Sequence, residues 1–212
     1  MKGLLMKDLA FVKLQAKSMI LIFVLVIFML LQGSNFNFVI AYANVLFAMF
    51  VVTTINYDYF ENGCAFLMTL PISRKTYVNE KYVLAFLTVA CGFVVDIIFM
   101  LIAHFLKEGY VFGIDNLIFS LAYALGSLVF IALMLPIELK YGPEKARVAM
   151  IVVVAIIFAM VFLFMGMGPA EPVKRLISFT KIQLLGLSGV AILIALSISY
   201  LISCGIMEKK EF

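Results

Sequence analysis

The sequence predicts an all-α integral membrane protein with six transmembrane helices, and three observations support this fold class. First, 66% of the 212 residues are hydrophobic and 13% are charged, whereas a soluble domain is about half apolar and about a quarter charged. Second, the mean hydropathy is +1.18. Third, the apolar residues form long runs separated by short polar connections. One small core cannot bury so much apolar surface, so lipid is the expected solvent.

The N-terminal segment, residues 1–17, is predicted to be an amphipathic helix at the membrane interface. Leu5 and Leu9 recur at helical spacing, while Lys2 and Lys13 lie on another face. Lysines on such a helix would face lipid phosphates. A plain basic flank to the first membrane helix is the alternative.

Six apolar runs are predicted to cross the membrane as one transmembrane domain. The first is short for a hydrocarbon core about 30 Å thick, so we expect its helix to begin earlier, with Lys17 extending its ammonium group to the interface. Asn44, in the second run, is expected to face other helices, because lipid offers it no hydrogen-bond partner. The predicted spans are residues 18–31, 36–56, 82–106, 116–137, 148–167 and 183–207.

The distribution of Lys and Arg predicts that both chain termini are cytoplasmic. In that orientation twelve of the sixteen basic residues lie on the inner face and four on the outer face, in agreement with the positive-inside rule. Three of those four lie in residues 169–182, between the last two spans. We expect this amphipathic segment to be a short helix on, or dipping into, the outer leaflet; a solvated loop is the alternative.

Missing motifs exclude several functions. No G-x-x-x-x-G-K-[ST] occurs, so the chain is not expected to hydrolyse ATP by itself. No H-E-x-x-H or G-x-S-x-G occurs, and the three cysteines lack the spacing of a metal site. We therefore predict no catalytic residue and no metal. The basic residues are scattered between apolar runs, which argues against nucleic-acid binding.

The longest polar interruption, residues 57–81, is the strongest functional signal. We expect the second helix to continue out of the membrane, with Asp58 and Glu61 facing the cytoplasm. Pro71 would end this helix, and Ser73 would cap a new one that continues into the third span. Such a helix, break and helix would suit the transmission of force from a soluble partner. A charged surface loop without a partner is the alternative.

Asp96 lies in the middle of the third predicted span. A carboxylate there costs about 2.5–3.5 kcal/mol on insertion scales, so it is expected to face the bundle or a wet cavity. His104, eight residues later, lies roughly on the same helical face. One hypothesis makes the two residues a proton relay; the other is a carboxyl group hydrogen-bonded to a neighbouring helix. Asn44 and Asp96 are thus candidates for the translocation path or for helix packing.

At its long polar loop the sequence resembles the membrane subunits of type-2 ATP-binding-cassette exporters, the ABC-2 permease family, and above all its small six-span bacterial branch. The matching residues are N-Y-D-Y-F-E-N-G at 56–63, T-L-P-I-S-R at 69–74 and E-K-Y at 80–82. The topology is similar over the whole chain, whereas the specific match covers about twenty-five residues. Exporters of phenol-soluble modulins and bacteriocin-immunity pumps include small permeases of this kind.

The resemblance implies a coupling helix at about 58–70 that docks on a separate ATPase subunit, which binds ATP and Mg²⁺. The chain itself would need no cofactor. A second permease chain, identical or paralogous, would complete an exporter of an amphipathic peptide or lipid-like molecule in the bacterial cytoplasmic membrane. The residues expected to couple to the ATPase are Asp58, Glu61, Phe66, Leu67, Pro71 and Arg74.

Two other functions stay open from the sequence. The first is a proton-coupled carrier that uses Asp96 and His104. The second is a membrane anchor or immunity protein that transports nothing. Asp96→Asn would stop the carrier and spare ATP-driven transport, whereas a change at Glu61 or Arg74 would do the reverse.

Overall fold

The computed structural model describes residues 2–14, 24, 26–28, 36–60, 63–106, 113–167 and 181–210. Six helices have described ends, residues 24 and 26–28 are also helical, and no strand occurs in this part of the chain, which confirms the all-α class. The six helices are α1 (Lys2–Leu14), α2 (Phe36–Tyr59), α3 (Gly63–Thr69), α4 (Arg74–Leu106), α5 (Ile114–Met167) and α6 (Lys181–Lys209). Most of the predicted first span, and residues 169–180 of the predicted outer segment, lie outside the described residues.

Four stretches of the described helices are long and apolar enough to cross a membrane. They are Val39–Tyr59, Arg74–Phe105, Ile114–Val153 and Gly186–Lys209. A hydrocarbon core needs about 20 such residues in a helix. These stretches confirm a multi-pass membrane protein. The total of six spans and the cytoplasmic position of both termini stay predictions.

Helix α4 begins before the predicted third span because Ser73 caps it. Ser73 Oγ accepts a hydrogen bond of 3.1 Å from the backbone N–H of Thr76, which is the arrangement of an N-cap residue. The helix then runs without a break from Arg74 to Leu106. The predicted cap is therefore confirmed, and the second part of the polar loop forms the first two turns of a long helix.

Helix α5 contains the fourth and fifth predicted spans with a break between them. The backbone leaves the helical conformation at Gly142, where φ is 75° and ψ is 172°, a region that is essentially restricted to glycine. Pro143 follows and has no N–H group to continue the helical hydrogen bonds. The connection between the predicted spans 116–137 and 148–167 is thus a break at one residue, with helix on both sides.

A second proline in α5 frees a backbone carbonyl that takes part in polar contacts among three helices. Pro136 has no N–H group, so the carbonyl of Ala132 lacks its helical donor. The hydroxyl group of Ser199 in α6 donates a hydrogen bond to this carbonyl instead. Tyr82 of α4 places its hydroxyl 2.6 Å from Ser199 Oγ and 3.0 Å from Ser203 Oγ. Helices α4, α5 and α6 are therefore hydrogen-bonded to one another inside an apolar core.

The carbonyl of Leu139 lacks its helical donor for the same reason, because Pro143 lies four residues later. Tyr59, the last residue of α2, donates to this carbonyl at 3.3 Å. Lys210, just after α6, also donates to it and lies 2.7 Å from Tyr59 Oη. The end of α2, the break in α5 and the end of α6 thus meet at one end of the bundle.

The apolar core lies between α2, α4, α5 and α6. Its buried side chains include Ala48, Val51, Ile55, Tyr77, Ala85, Ile131, Leu135, Leu196 and Met207. Helices α2 and α4 come close at Gly92, where a Cβ would lie 3.3 Å from the ring of Phe47. Close approach at a small residue is typical of membrane helices, whose association depends on packing.

Helix α1 packs against the protein through Leu4, Asp8 and Phe11, all of which are buried. The ring of Phe11 lies 4.5 Å from that of Tyr57 in α2, between centroids. Leu9, by contrast, is 52% exposed. The apolar face expected from the sequence is therefore not the face that packs on the protein. An exposed Leu9 is compatible with a helix at the membrane interface, and that position stays a prediction.

Candidate functional site

The short helix α3 lies between α2 and α4 along the chain and is separated from each of them by only a few residues. Gly63 begins α3 so close to α2 that a Cβ there would lie 2.9 Å from the carbonyl oxygen of Asp58. At the other end, Pro71 lies in a turn in which the N–H of Ile72 donates to the carbonyl of Leu70 at 2.6 Å. Because both connections are short, a displacement of α3 would move the ends of α2 and α4.

Helix α3 presents one face to the protein and another to the outside. Cys64 is buried, and Leu67 and Met68 pack against the apolar core. Burial raises the pKa of the Cys64 thiol, which makes this cysteine poorly reactive. Phe66 is 68% exposed. The surface of α3 therefore includes a large apolar side chain that the chain itself does not cover.

A groove of about 390 Å³ separates α3 from α1. Its lining residues are Gly3, Leu4, Lys7, Leu67, Leu70 and Ile72. The N-terminal helix and the short helix thus form the two walls of one surface feature. Leu67, one of the lining residues, follows the exposed Phe66 in the chain.

Four charged side chains from three helices meet at the end of α2. Lys81 Nζ lies 2.6 Å from Asp8 Oδ2 and 2.8 Å from Asp58 Oδ2. Lys7 Nζ lies 3.1 Å from Asp8 Oδ1 and also pairs with Asp58. These four residues are called the ion-pair cluster below. The cluster joins α1, α2 and α4.

Three members of the ion-pair cluster are almost completely buried. The exposed fractions are 1% for Asp8, 4% for Asp58 and 0% for Lys81. Burial by itself would raise the pKa of Asp8, but the charge and hydrogen bond of Lys81 lower it below its usual value. Removing one partner of a buried ion pair costs about 3–5 kcal/mol, because the other charge stays buried. The cluster is therefore stable only as a complete set.

Other polar groups of α2 and α4 surround the ion-pair cluster. Tyr77 donates its hydroxyl hydrogen to Asp58 Oδ2 at 3.0 Å, and Lys81 Nζ lies 3.4 Å from Thr54 Oγ1. Glu80, which is also fully buried, places Oε2 3.6 Å from Lys81 Nζ. Tyr77 thus supplements the charge pairing as a neutral donor and Thr54 as a neutral acceptor, as buried ions require.

The sequence predicts that Asp58 faces the cytoplasm, but the structure buries it. The reason is that Lys7 and Lys81 lie close enough to neutralise its carboxylate. Asp58 therefore fixes the end of α2 rather than offering a charge to another protein. Any part that it plays in coupling would be through the position of the helices.

The other predicted coupling residues around α3 differ in exposure. Phe66 and Pro71 are exposed, and Leu67 is half-buried against the core. Glu61 lies outside the described residues. The part of these residues in coupling stays a prediction.

Arg74, the first residue of α4, binds the end of α6. Its Nη1 donates to the carbonyls of Met207 and Glu208, at 3.2 and 2.6 Å. The last carbonyls of a helix lack intrahelical donors, and a cation is favoured beside them. Lys75 adds a surface ion pair with Glu208 at 3.1 Å. Arg74 therefore joins the turn after α3 to the sixth helix.

A second buried polar group lies further along α4. Asp96 is 0% exposed, and its Oδ2 accepts hydrogen bonds from Asn44 Nδ2 at 2.6 Å and Ser120 Oγ at 2.7 Å. These three residues are called the Asp96 group. The structure places Asp96 and Asn44 in helix packing between α2, α4 and α5, and a translocation path through them stays a prediction.

The structure separates Asp96 from His104. His104 is exposed, and its ring centroid lies 5.7 Å from that of Phe105. Eight residues of α-helix span about 12 Å. A proton could not pass directly between the two side chains, so a relay would need further groups between them.

Sequence reasoning missed Asp8, Lys81 and Ser120. Asp8 is the single acidic residue among the four lysines of residues 1–17, and this isolation was a usable signal for an intramolecular ion pair. The other two gave no such signal. Lys81 and Asp8 are 73 residues apart, and Ser120 and Asp96 are 24 apart, so local pattern does not indicate these pairs.

Within the described ranges, no three His, Cys, Asp or Glu side chains are placed to hold a metal ion. The carboxylates of the ion-pair cluster have ammonium groups as partners instead. The contacts described above connect the surface helix α3 to the membrane helices α2, α4 and α6. The site can therefore transmit a movement of α3 to these helices.

The comparison with protein families gives one match. The family described as ABC-2 family transporter protein matches residues 3–208, which is almost the whole chain. No curated protein and no solved structure matches it. The four membrane-length helices agree with the family match. The chain therefore belongs to the ABC-2 family of membrane transporters.

Proposed function

We propose that this chain is the permease subunit of an ATP-driven exporter and that it is coupled to a separate ATPase subunit through α3. Family membership supports a transport function. The sequence contains no P-loop motif, so ATP and Mg²⁺ would be bound by the ATPase subunit. The chain itself would catalyse no reaction. The protein would be located in the bacterial cytoplasmic membrane.

The observation that supports this proposal most is the exposed, apolar surface of α3. Phe66 is 68% exposed on a helix of seven residues between two membrane-length helices. An exposed large aromatic side chain that enters a pocket of the partner protein is the kind of anchor that dominates protein–protein affinity. We assign Phe66 the main contact with the ATPase and Leu67 the support behind it.

Force on α3 would reach four other helices through the contacts described above. Gly63 lies so close to the carbonyl of Asp58 that a Cβ would not fit between them, and Asp58 belongs to α2 and to the ion-pair cluster with α1. Ser73 caps α4. Arg74 binds the end of α6. A rigid displacement of α3 would therefore tilt the bundle as a unit, as alternating access requires.

Two such permease chains, identical or paralogous, would complete the exporter together with two ATPases. The proposed cargo is an amphipathic peptide or a lipid-like molecule, because the resemblance is to small permeases that export such substrates. No described side chain selects among these cargoes.

The first test is the purification of the chain from its native membranes in mild detergent, followed by identification of stoichiometric partners. We expect a P-loop ATPase of matching abundance. Phe66→Ala should remove most of it, because an anchor residue contributes about 2 kcal/mol or more. Phe105→Ala is the matched control, since Phe105 is 84% exposed at the far end of α4.

Two outcomes would contradict the proposal. In one, the chain is recovered alone or only with a second permease chain. In the other, Phe66→Ala and Phe105→Ala retain the ATPase equally. The first result would remove the energy source from the proposed exporter, and the second would remove α3 as the docking site.

A further inference from the structure

An open pocket of about 440 Å³ lies where α5 breaks and α6 ends. Its lining residues are Lys140, Ile202, Gly205, Ile206, Lys209 and Lys210. Three of these six are lysines and none is acidic. Burial lowers the pKa of Lys210, and a bound anion would favour its charged form. The pocket has the charge and size to hold a phosphate-containing headgroup.

A second cavity, of about 430 Å³, adjoins this pocket along the same two helices. Ile202 lines both. The second cavity is apolar, with Leu133 of α5 and Ala195 and Ile198 of α6 among its lining residues. Its one hydroxyl group, on Ser199, donates to a backbone carbonyl. Along α6 the lining thus changes from apolar side chains to lysines.

This change occurs at the end of a membrane span. The apolar stretch of α6 ends at Lys209, so the lysines lie at its boundary and the apolar groove lies within it. Tyr141, whose ring centroid is 5.0 Å from Lys140 Nζ, lies at the same level. Tyr and Lys are enriched at the depth of lipid headgroups.

We propose that the pocket and the groove together bind one anionic phospholipid, with its phosphodiester among Lys140, Lys209 and Lys210 and an acyl chain along Ile202 and Ala195. Basic pockets between membrane helices bind anionic headgroups in this way. The lipid would contact the break in α5 and the end of α6 at once. This inference does not depend on the coupling proposed for α3.

The test is lipid binding to the purified, delipidated full chain, measured by native mass spectrometry with phosphatidylglycerol and with phosphatidylcholine. We expect tighter binding of phosphatidylglycerol. Lys140→Gln combined with Lys209→Gln should weaken it on the order of 30-fold, since each lysine contributes about 1 kcal/mol near an anionic lipid surface. The control is Lys13→Gln combined with Lys145→Gln, because both residues are exposed and lie outside the pocket.

Two further arms distinguish a lipid from a free phosphate and a charge effect from misfolding. Ala195→Phe, which fills the groove, should weaken phosphatidylglycerol binding without touching the lysines. Lys140→Arg with Lys209→Arg should keep it. Equal binding of phosphatidylglycerol by the wild type and the double Gln variant would overturn the proposal. So would binding of glycerol phosphate as tight as that of the lipid, because the site would then recognise a soluble phosphate.

Discussion

Helix α4 contributes to two buried polar groups that differ in how their carboxylates are stabilised. Lys81, near its start, lies between the carboxylates of Asp8 and Asp58. Asp96, about 22 Å further along the helix, has the neutral donors of Asn44 and Ser120. The first group pairs opposite charges from three helices. The second places one carboxyl group among neutral partners.

The difference follows from where each group lies along the span. Near the end of the bundle, Lys7 keeps 32% of its side chain exposed, so part of the ion-pair cluster is close to solvent and its desolvation cost is lower. In the middle of the span an additional ion would cost several kilocalories per mole, and neutral hydrogen-bond donors are the less costly partners. We therefore expect the cluster to depend on all its members, and the Asp96 group to tolerate loss of its charge.

The largest effect is expected from Lys81→Met. This substitution leaves the buried carboxylates of Asp8 and Asp58 with only the partly exposed Lys7 as a cation, and we expect a loss of about 3–5 kcal/mol in the free energy of unfolding. Thermal denaturation of the purified chain in detergent, followed by circular dichroism, measures the change. Adding Asp8→Asn and Asp58→Asn to Lys81→Met should recover much of the loss, because no unpaired buried charge then remains at these three positions.

Lys75→Met is the matched control for this prediction. Lys75 lies on the same helix, but its side chain is 67% exposed and its ion pair with Glu208 is on the surface. We expect little change in the melting temperature. An equal loss for Lys75→Met and Lys81→Met would contradict the distinction between buried and exposed charge pairs.

An intermediate effect is expected from Gly63→Ala, which acts on the connection between the ion-pair cluster and α3. The new Cβ would lie 2.9 Å from the carbonyl oxygen of Asp58, so either α3 or the end of α2 must shift. Overpacking of this kind costs about 1–3 kcal/mol. We also expect weaker capture of the ATPase, measured as for Phe66→Ala.

Gly126→Ala is the control for the change at Gly63. Gly126 lies inside α5, and a Cβ added there would meet no described atom within 4 Å. Alanine also favours a helix over glycine, so stability should stay unchanged or increase. If Gly126→Ala were as damaging as Gly63→Ala, the close contact with Asp58 would not explain the result.

The smallest effect is expected from Asp96→Asn. The amide oxygen of asparagine can still accept the hydrogen bonds of Asn44 and Ser120, so stability should change by less than about 1 kcal/mol. ATP-driven export should continue, as measured by cargo release from cells. Asp96→Leu, which removes the acceptor from both donors, should cost about 1–3 kcal/mol. Loss of transport in a stable Asp96→Asn protein would instead favour the proton-coupled carrier.

Several features of the fold were predictable from local sequence. Long apolar runs indicated membrane helices, and Ser73 indicated the start of α4 by its cap. The pair Gly142 and Pro143 occurs where α5 breaks. The burial of Asp58 was not predictable, because its partner Lys7 is 51 residues away. Nor was the contact of Arg74 with Glu208, which spans 134 residues.

The sequence by itself determined that the chain is a helical membrane protein with a short surface helix between two long ones. Transfer of apolar runs into lipid, N-capping and the lack of an N–H group in proline depend on residues that are neighbours along the chain. Only the tertiary structure decided which charges are buried. A carboxylate such as Asp58 is stable away from water only when cations from other helices surround it, and the folding of the helices against one another brings those cations to it.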